Sequence, residues 1–80
     1  MKLPRDLSGA DLCKALCREH GYVFVHQEGS HIILQTQTPL HQRISIPNHN
    51  PLRVGTLNAI LRVVAAHKGL ERQALIDSLH

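Results

Sequence analysis

The chain reads as an α+β fold with the element order α-β-β-β-α, a three-stranded antiparallel sheet and a short C-terminal helix. Three observations carry this reading. A capped amphipathic stripe opens the chain. Three short runs suited to strands, broken by Gly and Pro, fill its middle. A second apolar pattern at helical spacing follows them. With 80 residues, the chain is expected to form one domain over residues 1–80. A domain of that size buries only about 60% of its unfolded surface, so any site must be shallow and built from few residues.

The first helix is announced by its cap. Ser8 stands at the N-cap position, Asp11 lies three residues on, and Leu7 can staple onto Leu12. Leu12, Cys13, Leu16 and Cys17 then form a narrow apolar stripe, and Gly21 supplies a C′ stop. The two cysteines fall one helical turn apart and read as reduced core residues.

Strands are expected over residues 22–26, 31–36 and 42–46. The first two flank a turn at Gln27-Glu28-Gly29-Ser30, and Thr38-Pro39-Leu40-His41 forms the next loop. In the third, Ile44 and Ile46 face one way while Arg43 and Ser45 face the other, and Pro47 ends the run. Such alternation gives a sheet with one face on helices and one partly open. The second helix is expected from about Thr56 to His67, with Leu57, Ile60, Leu61 and Val64 on one face and Gly69 as its stop. A last helix around 71–79 carries Leu75, Ile76 and Leu79. A three-stranded sheet with both helices on one face resembles a double-stranded-RNA-binding domain.

Nine Lys and Arg against six Asp and Glu leave a net charge of +3, with seven histidines in addition, and a pI near 9.3. The basic balance favours a phosphate-rich partner. Tyr22 and Phe24 are the only aromatics, too few for a sheet that stacks RNA bases, so RNA would be held by backbone and shape. No apolar run approaches the roughly 20 residues needed to span a membrane, and no secretory segment is present, so the chain reads as cytoplasmic. The histidines lack His-x-x-x-His spacing, and no metal site or cofactor is expected. Lys14, Arg18, Arg62 and Lys68 fall on polar helix faces and read as solubilising charges.

Four ordered segments carry a family resemblance: Leu7-Ser8-Gly9-Ala10-Asp11-Leu12 leading to Gly21-Tyr22, then Gly29-Ser30-His31, then Ile46-Pro47-Asn48-His49, and finally Gly55-Thr56-Leu57-Asn58-Ala59-Ile60-Leu61. In these the chain resembles HicA-type (YcfA-like) toxins of bacterial type II toxin–antitoxin systems. The resemblance implies an endoribonuclease that cuts messenger RNA and halts growth. A HicB-type antitoxin would neutralise it by blocking RNA from the His31 region. It also implies that His31, the histidine of the Gly-Ser-His signature, is catalytic. The chain departs from the family just before that signature, where His26-Gln27-Glu28 stands in place of a basic residue; Glu28 there repels phosphate.

The residue chemistry agrees with this assignment. RNA cleavage without a metal needs a base for the 2′-OH proton, an acid for the leaving 5′-oxygen, and donors for the developing phosphorane charge. Imidazole, with a reference pKa of about 6.5, suits the proton transfers near neutral pH. Gly29 and Ser30 let a phosphate approach backbone N–H groups, and the Ser30 hydroxyl adds a donor. His49 is the second candidate acid or base; alternatively its side chain caps the second helix or braces the Pro47 turn. Arg43 and Arg53 flank the region as phosphate contacts or as solvated charges. A non-catalytic RNA-binding module and a domain that meets an acidic protein are the rival readings.

Overall fold

The computed structural model describes residues 7–79 and has the expected order: α1 Gly9–His20, β1 Val23–Glu28, β2 His31–Thr36, β3 Gln42–Pro47, α2 Val54–Lys68 and α3 Arg72–Ser78. Residues 1–6 and 80, part of the expected single domain, lie outside the described residues. Each strand pairs antiparallel with the next, so β2 is central and β1 and β3 are edges.

The first helix forms as its sequence signals. The Asp11 N–H donates to Ser8 Oγ at 3.0 Å, which satisfies one of the orphan donors of the first turn. At the other end Gly21 adopts φ 72°, and Tyr22 N–H folds back onto the Leu16 carbonyl. That reversal sends the Tyr22 side chain into the core rather than along a strand, so β1 starts one residue later than expected. Burial pushes the Tyr22 phenol up to about 12 and the Cys13 thiol up to about 11, which keeps both protonated.

One core lies on one side of the sheet. Ile32, Leu34 and Ile46 from the strands meet Leu12 and Leu16 of α1, Leu57, Leu61 and Val64 of α2, and Leu75 and Ile76 of α3. The alternate positions, His31, Ile33 and Gln35 on β2 with Arg43 and Ser45 on β3, form the opposite, uncovered face. The expected alternation of Ile44 and Ile46 against Arg43 and Ser45 is thus present, with Ile46 fully buried and Ile44 partly so.

The second helix begins at Val54, two residues before the expected start. It takes no side-chain cap; Arg53 occupies the N-cap, and its carbonyl accepts the Leu57 N–H at 2.9 Å. Near its end, Lys68 is not the solvated charge its polar setting suggests. Its ammonium donates to Thr36 Oγ1 at 2.8 Å and the Thr38 carbonyl at 2.5 Å, and lies 4.8 Å from the centre of the Tyr22 ring. Lys68 therefore ties α2 to the end of β2 and the loop that follows it.

A half-buried histidine, His20, predicts an acid-sensitive fold. The Ser78 hydroxyl donates to the Leu75 carbonyl, so the His20 ring must donate through Nε2 to Ser78 Oγ at 2.6 Å. Burial first, and the nearby Lys68 ammonium second, lower the His20 pKa, with Glu19 acting weakly in the opposite sense. The unfolded chain then binds a proton more readily than the folded one. Stability from this group is complete above the ordinary imidazole value of about 6.5 and falls as the pH drops through it towards the depressed folded value. The thermal midpoint should therefore decline from pH 7 to pH 5, and His20→Gln should flatten that decline. An unchanged slope in the variant would remove His20 as its source.

Candidate active site

The hairpin between β1 and β2 is tighter than its sequence suggests. Gln27 and Glu28 belong to β1, and the turn is Gly29-Ser30 alone. Gly29 has φ 57° and, among the described residues, no non-glycine residue has positive φ, the pattern of a two-residue type II′ turn. Among the described residues nothing beyond its chain neighbours lies within 4 Å of where a Cβ would stand at Gly29, so a ligand can approach the backbone there. His31 follows as the first residue of the central strand, with an exposed side chain on the uncovered face.

Both neighbours of His31 are set by register. Across β1 it pairs with Glu28, and across β3 it pairs with Pro47. The ladder runs one step further, because Asn48 N–H donates to the Ser30 carbonyl at 2.6 Å. The segment after β3 therefore folds beside the hairpin, as a contribution to one site requires. Pro47 sits on an edge strand, where its missing N–H breaks no ladder.

His49 enters this arrangement through its backbone. Its carbonyl accepts the Gly9 N–H at 2.8 Å at the head of α1. The ring is exposed, and among the described residues no hydrogen bond from it caps α2 or braces the Pro47 turn. The close fit at Gly9 explains how this join is made: a Cβ there would lie 1.9 Å from the Pro47 carbonyl oxygen.

The other candidates divide into two groups. Arg43 projects from β3 on the same face as His31, and its guanidinium donates to Gln35 Oε1 at 3.3 Å. Gly29, Ser30, His31 and Arg43 are thus gathered on the hairpin and the open face. Arg53, exposed at the head of α2, and His49 lie on the connecting segment, with no side-chain hydrogen bond to the hairpin among the described residues.

Glu28 and His26 are what the expected turn concealed. They share one face of β1, and His26 Nε2 stands 2.7 Å from Glu28 Oε1. The His26 contact, above all, holds the Glu28 carboxyl below its usual range, with Arg43 and His31 adding to the effect. Glu28 is thus paired with a neighbouring side chain rather than standing alone at the turn. Period-two spacing of His26 and Glu28 was the signal for this pair, once the strand is carried to residue 28.

An open apolar notch of about 220 Å³ lies elsewhere, between β3 and α2, lined by Ile44, Ser45, Ala59, Ile60 and Val63. Among the described residues no cluster of three or more His, Cys, Asp or Glu could hold a metal ion. No helix there is long and apolar enough to cross a membrane.

A family model described as HicA toxin of bacterial toxin-antitoxin matches residues 9–65, from the first residue of α1 into the last turns of α2. Searches of curated proteins and of solved structures return no match. The matched span contains the capped helix, the Gly-Ser-His hairpin, the Pro47-Asn48-His49 segment and the opening of α2. The chain belongs to the HicA toxin family of bacterial toxin–antitoxin systems.

Proposed function

We propose that this chain is a cytoplasmic endoribonuclease toxin, one domain over residues 1–80. It cleaves messenger RNA by metal-independent acid–base catalysis through His31. The observation that carries the reading is the exposure of His31 on the central strand, one residue after a turn that leaves the backbone open to a phosphate. A strand held by ladder bonds on both sides presents the imidazole with little freedom to move away. Ser30 and Gly29 supply short polar groups next to it, and Arg43 supplies positive charge on the same face. Arg53 extends the basic surface towards α2, where it meets the RNA backbone as it leaves the hairpin.

An extended phosphodiester chain suits this surface better than a small molecule, because the sheet face that carries His31 and Arg43 is left uncovered by the helices. A HicB-type antitoxin inhibits by covering that face and so excluding RNA from His31.

The test is incubation of the purified protein with RNA in EDTA, with the ends of any fragments identified. The expected products are a 2′,3′-cyclic phosphate and a 5′-hydroxyl, the outcome of attack by the 2′-oxygen. Binding of RNA without fragments in EDTA would instead identify a non-catalytic RNA-binding module.

A further inference from the structure

Cleavage through a 2′-oxygen needs two proton-transfer groups, and His31 supplies one. The sheet places another imidazole beside it. The Gly29-Ser30 turn pairs Glu28 with His31, and counting back along the ladder pairs His26 with Ile33, on the same uncovered face. His26 and His31 are therefore diagonal neighbours, a relation that sets residues about 7–8 Å apart on an antiparallel sheet. Two imidazoles at that separation can flank a single phosphodiester, one on the attacking side and one on the leaving side.

The face of His26 is decided by an irregularity. The β1–β2 register shifts between Phe24 and His26, leaving Val25 as the extra residue of a bulge. An unbroken ladder running from Phe24 opposite Leu34 would turn His26 towards the helices. The bulge returns it to the side of His31, and Glu28 then holds its ring at 2.7 Å.

We propose that His26 is the general acid of the reaction, positioned by Glu28, and that His31 is the general base; this rests on the ribonuclease reading above. His31 takes the 2′-OH proton as the new O2′–P bond forms. The P–O5′ bond breaks, and the 5′-oxygen takes a proton from His26. The products are the cyclic phosphate and the 5′-hydroxyl, and the two rings exchange protons with water to reset. The role for Glu28 is to orient the His26 ring, through the contact of 2.7 Å between its Oε1 and the ring Nε2. Glu28 on its own strand is the side chain in contact with His26, and His31 on β2 and Arg43 on β3 share its face of the sheet.

The deciding experiment compares two substrates: an RNA oligonucleotide cut by the wild type at a mapped bond, and the same oligonucleotide with sulfur replacing the bridging 5′-oxygen at that bond. A thiolate leaves without protonation, so the second substrate does not need an acid. His26→Ala is expected to lose about 10²–10⁴-fold on ordinary RNA and to stay near the wild-type rate on the sulfur substrate. Glu28→Ala should lose less, with the same rescue. His31→Ala should lose on both. If His26→Ala cuts ordinary RNA as the wild type does, or loses equally on both substrates, His26 is not the acid, and the reading of His31 stands. If His31→Ala keeps the wild-type rate, the site itself has been misplaced and both readings fall. The His26 side chain is partly exposed, so its removal leaves the core intact. His26→Gln, which keeps a polar side chain, should repeat the pattern.

Discussion

His31→Ala should lower RNA cleavage by about 10²–10⁴-fold, the usual contribution of one general acid–base group, while leaving the thermal midpoint close to that of the wild type. The two parts of this expectation have separate causes. The imidazole is exposed and lies on the face away from the core, so its removal leaves no cavity. The strand itself is held by backbone pairing to Glu28 and Pro47, which alanine preserves. Single-turnover rates with the protein in excess of RNA and above the binding constant, together with a melting curve, separate the parts. Loss of cleavage accompanied by unfolding would make His31 a structural residue, and full retention of cleavage would remove it from the mechanism.

Gly9→Ala should destabilise the protein by about 1–3 kcal/mol, the usual cost of forcing an extra methyl into a filled space. In a domain of this size that corresponds to a fall in Tm of about 4–8 °C per kcal/mol. Alanine is the better helix former by about 0.8–1.0 kcal/mol in a helix interior, but Gly9 is the first residue of α1, and the obstacle is backbone. Its new Cβ would meet the Pro47 carbonyl oxygen at 1.9 Å. Relief requires α1 to move away from the end of β3. That movement breaks the Gly9 N–H bond to the His49 carbonyl and disturbs the Asn48 bond to Ser30. Cleavage should therefore fall along with stability, although Gly9 touches no RNA. Gly55→Ala is the control, because nothing lies within 4 Å of a Cβ there. Lower entropy in its unfolded chain should leave that variant neutral or more stable by about 0.4–1 kcal/mol. Equal melting curves for the two variants would show that the close approach at Gly9 carries no cost.

The fold around the candidate site was legible wherever its signal was local. Ser8 with Asp11 marks a helix start, Gly21 a helix stop, and alternation from His31 to Thr36 a strand. Each depends on residues a few positions apart, and each appears in the structure at the expected place. Glu28 was harder to place, because a four-residue and a two-residue turn use the same letters around Gly29. Backbone pairing chose the tighter turn and carried β1 to residue 28. The start of α2 was shifted for a similar reason. Without a capping side chain, its first turn is set by the Arg53 carbonyl and by the packing of Leu57 and Leu61 into the core. Lys68 looked like any lysine on a polar helix face, since its partners Thr36 and Thr38 are some thirty positions distant.

By itself, the sequence determined the element order, the family resemblance and the candidate histidine that follows the Gly29-Ser30 turn, because capping, alternation and short motifs are properties of neighbouring residues. Only the tertiary structure decided that Glu28 faces His31, that His26 lies diagonally beside it, and that His49 serves α1 through its backbone carbonyl. These depend on register, on one bulged residue and on a contact that only glycine at position 9 allows. Each is a relation between segments whose distance is set by how the whole chain packs.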